Sequence, residues 1–181
     1  QGTVYIAGGG GSAERMSLDT LHDPANGVAV VMHCFEVHGD QLKPENVEYC
    51  ARLSSAYGNY SYGDVMNTTF ALVPAGRSPA SYRLGEVMSA GAIPVFVATS
   101  TVRPFAEELD WSSFSFVFSP DQAGSEMVEA LRAVPSEELE IMQRKSLEAY
   151  DKLFGNSSYR YDTVARNVVE VLERRVSHHR V

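Results

Sequence analysis

Basic residues are in short supply: 15 Lys and Arg stand against 23 Asp and Glu, a net charge of -8. That deficit argues against non-specific binding to nucleic acid or to an anionic membrane surface, both of which reward clustered cations. Long apolar runs are missing too, and none approaches the ~20 residues of a membrane span. No signal-peptide pattern is visible. Because Gln1-Gly2-Thr3 leads almost directly into an apolar run, the chain is expected to be an excised piece or mature fragment. Cysteine is limited to Cys34 and Cys50, which form no metal-ligand pattern. One disulfide and two buried thiols both remain open readings. Without linkers, low-complexity tracts or repeats, 181 residues of 44% hydrophobic composition are expected to close a single domain over 1–181. The one tryptophan, Trp111, is expected to pack a connection rather than stack on a substrate.

What is present is a series of short apolar runs separated by helix-like stretches. Residues 4–7 read as a strand that meets Gly8, Gly9, Gly10 and Gly11 and then a helical-looking segment. Those glycines would let a ligand approach the backbone closely, and Arg15 is the nearby cation. A flexible loop explains the run equally well. Asn26-Gly27 signals a turn before a strand over 28–32. His33, Cys34, Glu36 and His38 follow, but strand alternation would send His33 and Cys34 to opposite faces, which argues against a metal.

Residues 46–57 read as a helix and 57–63 as a tyrosine-rich surface loop. Sequons at Asn59, Asn67 and Asn156 hint at a secretory glycoprotein, with Asn67 expected to be crowded by the strand after it. Further on, a short helix over 104–109, a turn at 110–111 and a strand over 114–118 are expected. The remainder reads as helical: 123–134, then a helix capped by Ser136 that runs to about 154. A last amphipathic helix covers 163–176, so 156–181 make a C-terminal helix and tail.

The richest stretch is 66–97. A buried strand (70–74), a loop (75–80), a helix (81–90) and a second buried strand (93–98) make a βαβ unit, hence a parallel sheet covered on both faces. Ligands bind at such strand-to-helix turns. This one carries Gly76, Arg77, Ser78 and Ser81, with Tyr82, Arg83 and Glu86 beginning the helix. Arginines beside a helix start suit an anion such as phosphate. A carboxylate among them would be misplaced unless it accepted hydrogen bonds from hydroxyls, so Glu86 fits a ribose. Together these describe a nucleoside diphosphate site. An i,i+3 ion pair between Arg83 and Glu86 on a surface helix accounts for the same spacing.

The wording of the stretch is specific. Pro74-Ala75-Gly76-Arg77, then Ser81-Tyr82-Arg83, Glu86 and Ser89-Ala90-Gly91-Ala92-Ile93-Pro94-Val95 closely resemble the signature of the exostosin family, glycosyltransferase family 47. Arg103-Pro104-Phe105 and Leu109-Asp110-Trp111-Ser112 match its continuation. The resemblance runs from about Asn67 to Phe118 and more loosely to Phe154. It implies an α/β, Rossmann-like doubly wound parallel sheet with C-terminal helices, the nucleotide-sugar-binding half of a GT-B fold. The donor would be a nucleotide sugar, mostly a UDP-sugar in this family, transferred with inversion and without a tightly bound metal. No Asp-X-Asp motif is present, which agrees.

Carried over by position, Arg77 and Arg83 would face the diphosphate, while Ser81 and Tyr82 would contribute phosphate or sugar contacts; Gly76 and Ser78 of the same turn are counted with them as donor-binding. Glu86 would take the ribose. Gly8, Gly9, Arg15, Thr99 and Ser100 would border the site. Family members often carry an arginine after the first strand, where this chain has its glycines, so the contribution of that loop departs from the pattern. The family builds heparan sulfate in animals and xyloglucan, xylan or pectin side chains in plants. The resemblance therefore also implies a Golgi or other secretory-pathway location and a full-length protein anchored to the membrane. A glycan acceptor would be held by a missing N-terminal domain, and the general base would come from there or from the cleft. This chain alone is expected to bind nucleotide and transfer sugar poorly. A non-catalytic nucleotide- or sugar-binding module descended from such an enzyme is the alternative. A flavodoxin-like regulatory domain is disfavoured by the lack of clustered acids at strand ends.

Overall fold

A computed structural model describes residues 4–9, 17–33, 63, 66–74, 81, 83–98, 102–154, 165–166, 168–170 and 172–173. Among them, five strands form one parallel sheet: β1 (Val4–Gly9), β2 (Val28–His33), β3 (Phe70–Pro74), β4 (Ile93–Val97) and β5 (Phe116–Phe118). Their order across the sheet is β2-β1-β3-β4-β5. Three helices accompany them: α1 (Arg83–Ser89), α2 (Ser125–Arg132) and α3 (Ser136–Phe154). This is the α/β, Rossmann-like class expected from the sequence. The described residues between 165 and 173 are helical, inside the expected final helix. The helix expected over 46–57 and both cysteines lie outside the described residues.

The middle strands are continuous apolar runs because both of their faces are covered, and every residue of β3 and β4 is buried. Pro94 interrupts β4 without loss. Ile93 donates to the Thr69 carbonyl (2.8 Å) and Ala98 to the Phe118 carbonyl (3.1 Å), so alternate residues face β3 and β5. The N–H that Pro94 lacks belongs to the β5 side, where pairing starts one residue later at Val95–Phe116.

The α1–β4 connection is fixed by a Schellman turn. Ala92 N–H bonds the Val87 carbonyl (3.2 Å), Gly91 N–H bonds the Met88 carbonyl (3.0 Å), and Gly91 has φ +73°. α3 packs over this turn and against β4 through a buried stripe of Met142, Ser146, Ala149 and Leu153. Its two small residues permit close approach, and the buried Ser146 hydroxyl donates to the Ala92 carbonyl at 2.9 Å. α2 buries Met127, Val128 and Leu131, which share one face at i, i+1 and i+4.

The outer edge of β2 is covered locally. Asp23 exchanges two backbone bonds with Val28 (2.8 and 3.0 Å), and Val30 N–H donates to His22 Nδ1 at 3.0 Å. That satisfies an edge that would otherwise invite pairing with another chain. Burial holds the His22 imidazole below its ordinary value, against a smaller opposite pull from the neighbouring Asp23 carboxylate. The Asn26-Gly27 turn before β2 is present, with Gly27 at φ 80°.

Several element boundaries differ from the sequence reading. β1 runs on through Gly8 and Gly9, which pair with Met32 and His33, because glycine can stay extended as readily as turn. β2 likewise includes His33. Residues 104–108 are turns, not a helix: Phe105 sits at φ 53°, outside right-handed helical space. Trp111–Ser113 is a 3-10 turn, and the last strand starts only at Phe116. Before it, the Ser115 hydroxyl is committed to the Trp111 carbonyl at 2.6 Å. Ser136 is the first helical residue of α3 rather than its cap, since Leu139 N–H already bonds the Pro135 carbonyl at 3.1 Å. Asn67 is exposed, not crowded.

Candidate functional site

The strand order reverses between β1 and β3, and in parallel α/β sheets ligands bind off the carboxyl ends at such a reversal. Here the two strands also part. β1 and β3 pair only at Val4–Phe70 and Tyr5–Ala71. Beyond that, β1 stays with β2 through Gly9–His33, and β3 stays with β4 through Pro74–Val97. By the alternation that sends the Thr69 carbonyl to β4, Pro74 faces β1, where it has no N–H to donate. The unpaired carboxyl ends of β1 and β3 therefore mark the crevice position of such folds, with Gly8 and Gly9 on one side and Pro74, leading into the segment that carries the candidate ligand residues, on the other.

Of those residues, Ser81, Arg83 and Glu86 are described. α1 begins at Arg83, two residues later than the helix expected from the sequence, so the half-buried Ser81 lies just before it. The Ser81 carbonyl accepts the Leu84 N–H at 3.2 Å. Arg83 Nη1 donates to Glu86 Oε2 at 2.9 Å, with the arginine side chain 13% exposed and the glutamate 46%. The i,i+3 ion pair is therefore formed. With the glutamate half in water, such a pair contributes only ~0.3–0.5 kcal/mol to stability. Its geometric effect is larger, because it fixes the plane of the guanidinium, and a pre-oriented fork suits phosphate oxygens. Gly76, Arg77, Ser78, Tyr82, Arg15, Thr99 and Ser100 lie outside the described residues.

The second half of the sequence signature has a structural explanation. Trp111 Nε1–H donates to the Pro104 carbonyl at 2.9 Å, which ties the Arg-Pro-Phe segment to the Asp-Trp segment. The indole is 3% exposed and packs on Phe96 and Phe114 at centroid distances of 5.8 and 5.0 Å. Trp111 is a packing residue, as its sequence context suggested. Sequence reading missed the parting of β1 from β3, which depends on strand order. Its one local trace is the proline that ends β3. Among the described residues, no group of three or more His, Cys, Asp or Glu is assembled. No helix there is long and apolar enough to cross a membrane.

Comparison with known proteins gives consistent matches. The Exostosin GT47 domain model matches residues 14–134. Exostosin-1 of Drosophila melanogaster is 29% identical over 157 residues, covering 86% of this chain and 20% of that protein. The Exostosin-1 homolog of Caenorhabditis elegans is 27% identical over 177 residues, 97% of this chain and 45% of the relative. Exostosin-1 of Bos taurus is 24% identical over 180 residues, 99% of this chain and 23% of the relative. The chain thus spans less than half the length of each of these relatives.

Proposed function

The chain belongs to the exostosin GT47 family, and from that membership we propose that it is the donor-binding half of an inverting glycosyltransferase acting in polysaccharide or glycan synthesis. The donor is a nucleoside diphosphate sugar of the UDP-sugar class. The observation that carries this reading is the family match over residues 14–134, which takes in β2, β3, α1, β4, β5 and α2. The strand-order reversal between β1 and β3 supports it, because ligands bind off the carboxyl ends of such strands and the segment leading from β3 to Arg83 starts there.

In this reading, the acceptor hydroxyl attacks the anomeric carbon as the bond to the diphosphate breaks. Arg77 and Arg83 stabilise the negative charge that develops on the leaving diphosphate. Positive charge already in place makes a bound metal unnecessary for that task. Glu86, held beside Arg83, accepts hydrogen bonds from the ribose hydroxyls, and Gly8 and Gly9 admit the donor against backbone. The acceptor glycan is held by the remainder of a longer, secretory-pathway protein, so the 181 residues alone bind donor without efficient transfer.

Calorimetric titration with UDP, GDP and their sugars tests the proposal. Binding of a nucleoside diphosphate is expected, unchanged by a chelator. Arg83→Ala removes charged hydrogen bonds of ~1.5–3 kcal/mol, so affinity should fall by about 10- to 100-fold. Glu86→Ala should erase the preference for UDP over its 2′-deoxy analogue. No binding of any nucleoside diphosphate at millimolar concentration sinks the donor reading. A Glu86→Ala protein that still prefers UDP sinks the ribose assignment alone.

A further inference from the structure

A cavity of about 810 Å³ opens at the other end of the sheet. It is bounded by Gly27 and Thr69, which immediately precede β2 and β3, and by the end of α2 and the start of α3. These are the amino ends of parallel strands, whereas the crevice lies at their carboxyl ends. The length of β3 puts the two on the order of 15 Å apart. The volume falls within the ~300–1,000 Å³ typical of small-molecule sites.

One wall is a polar stripe of α3. Ser136, Glu140 and Gln143 sit at i, i+4 and i+7, share one helical face, and all line the cavity. Among the described residues, none of these three side chains makes a hydrogen bond or an ion pair, although each is a hydrogen-bonding type. Across the cavity, the Arg132 guanidinium is anchored by a 2.7 Å bond from Nη2 to the Asn26 carbonyl. The half-buried Val134 and Leu139 supply the exposed apolar surface of the lining.

The lining carries one cation and one anion, so it shows no bias toward a charged ligand. A carboxylate, a carboxamide and a guanidinium each present paired heteroatoms in a plane, which match neighbouring hydroxyls on a ring. The apolar surface between them matches the C–H face of the same ring. We propose that this groove binds a neutral oligosaccharide, as a second glycan site remote from the donor crevice. The choice of a glycan among polyhydroxy ligands rests on the glycosyltransferase reading; the groove and its polar stripe do not. A site so placed holds the glycan chain away from the reacting end.

The test is titration of the 181-residue chain, followed by amide chemical shifts, with cello-, xylo- and chito-oligosaccharides and separately with UDP. An oligosaccharide should bind and shift amides of 136–143. Gln143→Ala and Glu140→Gln, both changes of side chains at the cavity surface, should each weaken it about tenfold, equivalent to ~1.4 kcal/mol, and leave UDP affinity unchanged. Arg83→Ala should do the reverse. If UDP binds and no oligosaccharide does at millimolar concentration, the groove assignment is overturned while the donor reading stands. Oligosaccharide binding that both groove variants leave intact also overturns it. Groove-dependent oligosaccharide binding without UDP binding supports the groove and removes the donor site.

Discussion

Arg83 and Glu86 hold each other at 2.9 Å, so in the proposed donor site a diphosphate at Arg83 would share it with that carboxylate. Glu86, half in water, would gain ribose hydroxyls in exchange. Such a site would also be selective, because a phosphate without an adjacent diol would meet Glu86 as a repelling charge. The residue types were readable from sequence, since an arginine and a glutamate three apart on a helix must be neighbours. Their partner was not, because the same spacing serves a ligand and an ion pair alike. His22 shows the same limit from the other side. Nothing local marks it, yet its imidazole completes the edge of β2 by accepting from Val30 N–H, which requires an unprotonated Nδ1. Its pKa is lowered in the fold from the ordinary 6.5, so its contribution is complete above that pH. As pH falls below 6.5, the unfolded chain takes up a proton that the folded one resists, and stability declines. Urea denaturation on either side of pH 6.5 should show a loss on the acid side that His22→Gln reduces. Equal losses in both proteins would remove His22 from the account.

At the scale of elements, the βαβ unit around α1 was the most legible part of the chain, and its chemistry explains why. Two continuous apolar runs of strand length flank a helix whose stop signal is Gly91. That glycine is fixed by its φ of +73°, which disfavours any side chain, whereas the nearest atom to an added Cβ, Leu147 Cδ1 at 3.3 Å, ends a half-exposed side chain that can shift. Gly91→Ala should therefore cost about 1–3 kcal/mol, read as a lower denaturation midpoint with an unchanged denaturant slope. A wild-type midpoint would mean that the turn relaxes freely. The stretch from 102 to 115 was less legible. Its helix-like composition conceals Phe105 at positive φ and the bond to Pro104 from Trp111, whose indole packs on Phe96. Local propensity cannot report an interaction with a strand already passed.

At the scale of the whole molecule, the strand order decides which motifs lie on neighbouring strands. Gly8 and Gly9 are more than sixty residues from Arg83 in sequence, and the order β2-β1-β3-β4-β5 puts their strand beside the one that leads to it. The family signature identified the segment after β3 without needing that order. The parting of β1 and β3 beyond Tyr5–Ala71 could come only from the assembled sheet. The same assembly separates the two ends of the sheet, with the proposed donor site at one and the α2–α3 groove at the other. The central claim, that this chain carries a nucleotide-sugar site in the β1/β3 crevice, is tested most directly by mapping amide chemical-shift changes during a UDP titration of the 181-residue chain. The largest changes should fall at Gly8, Gly9 and the residues from Ser81 to Glu86, with Ser136 and Gln143 unmoved. Changes centred on the α2–α3 end, or no saturable change at all, would contradict it.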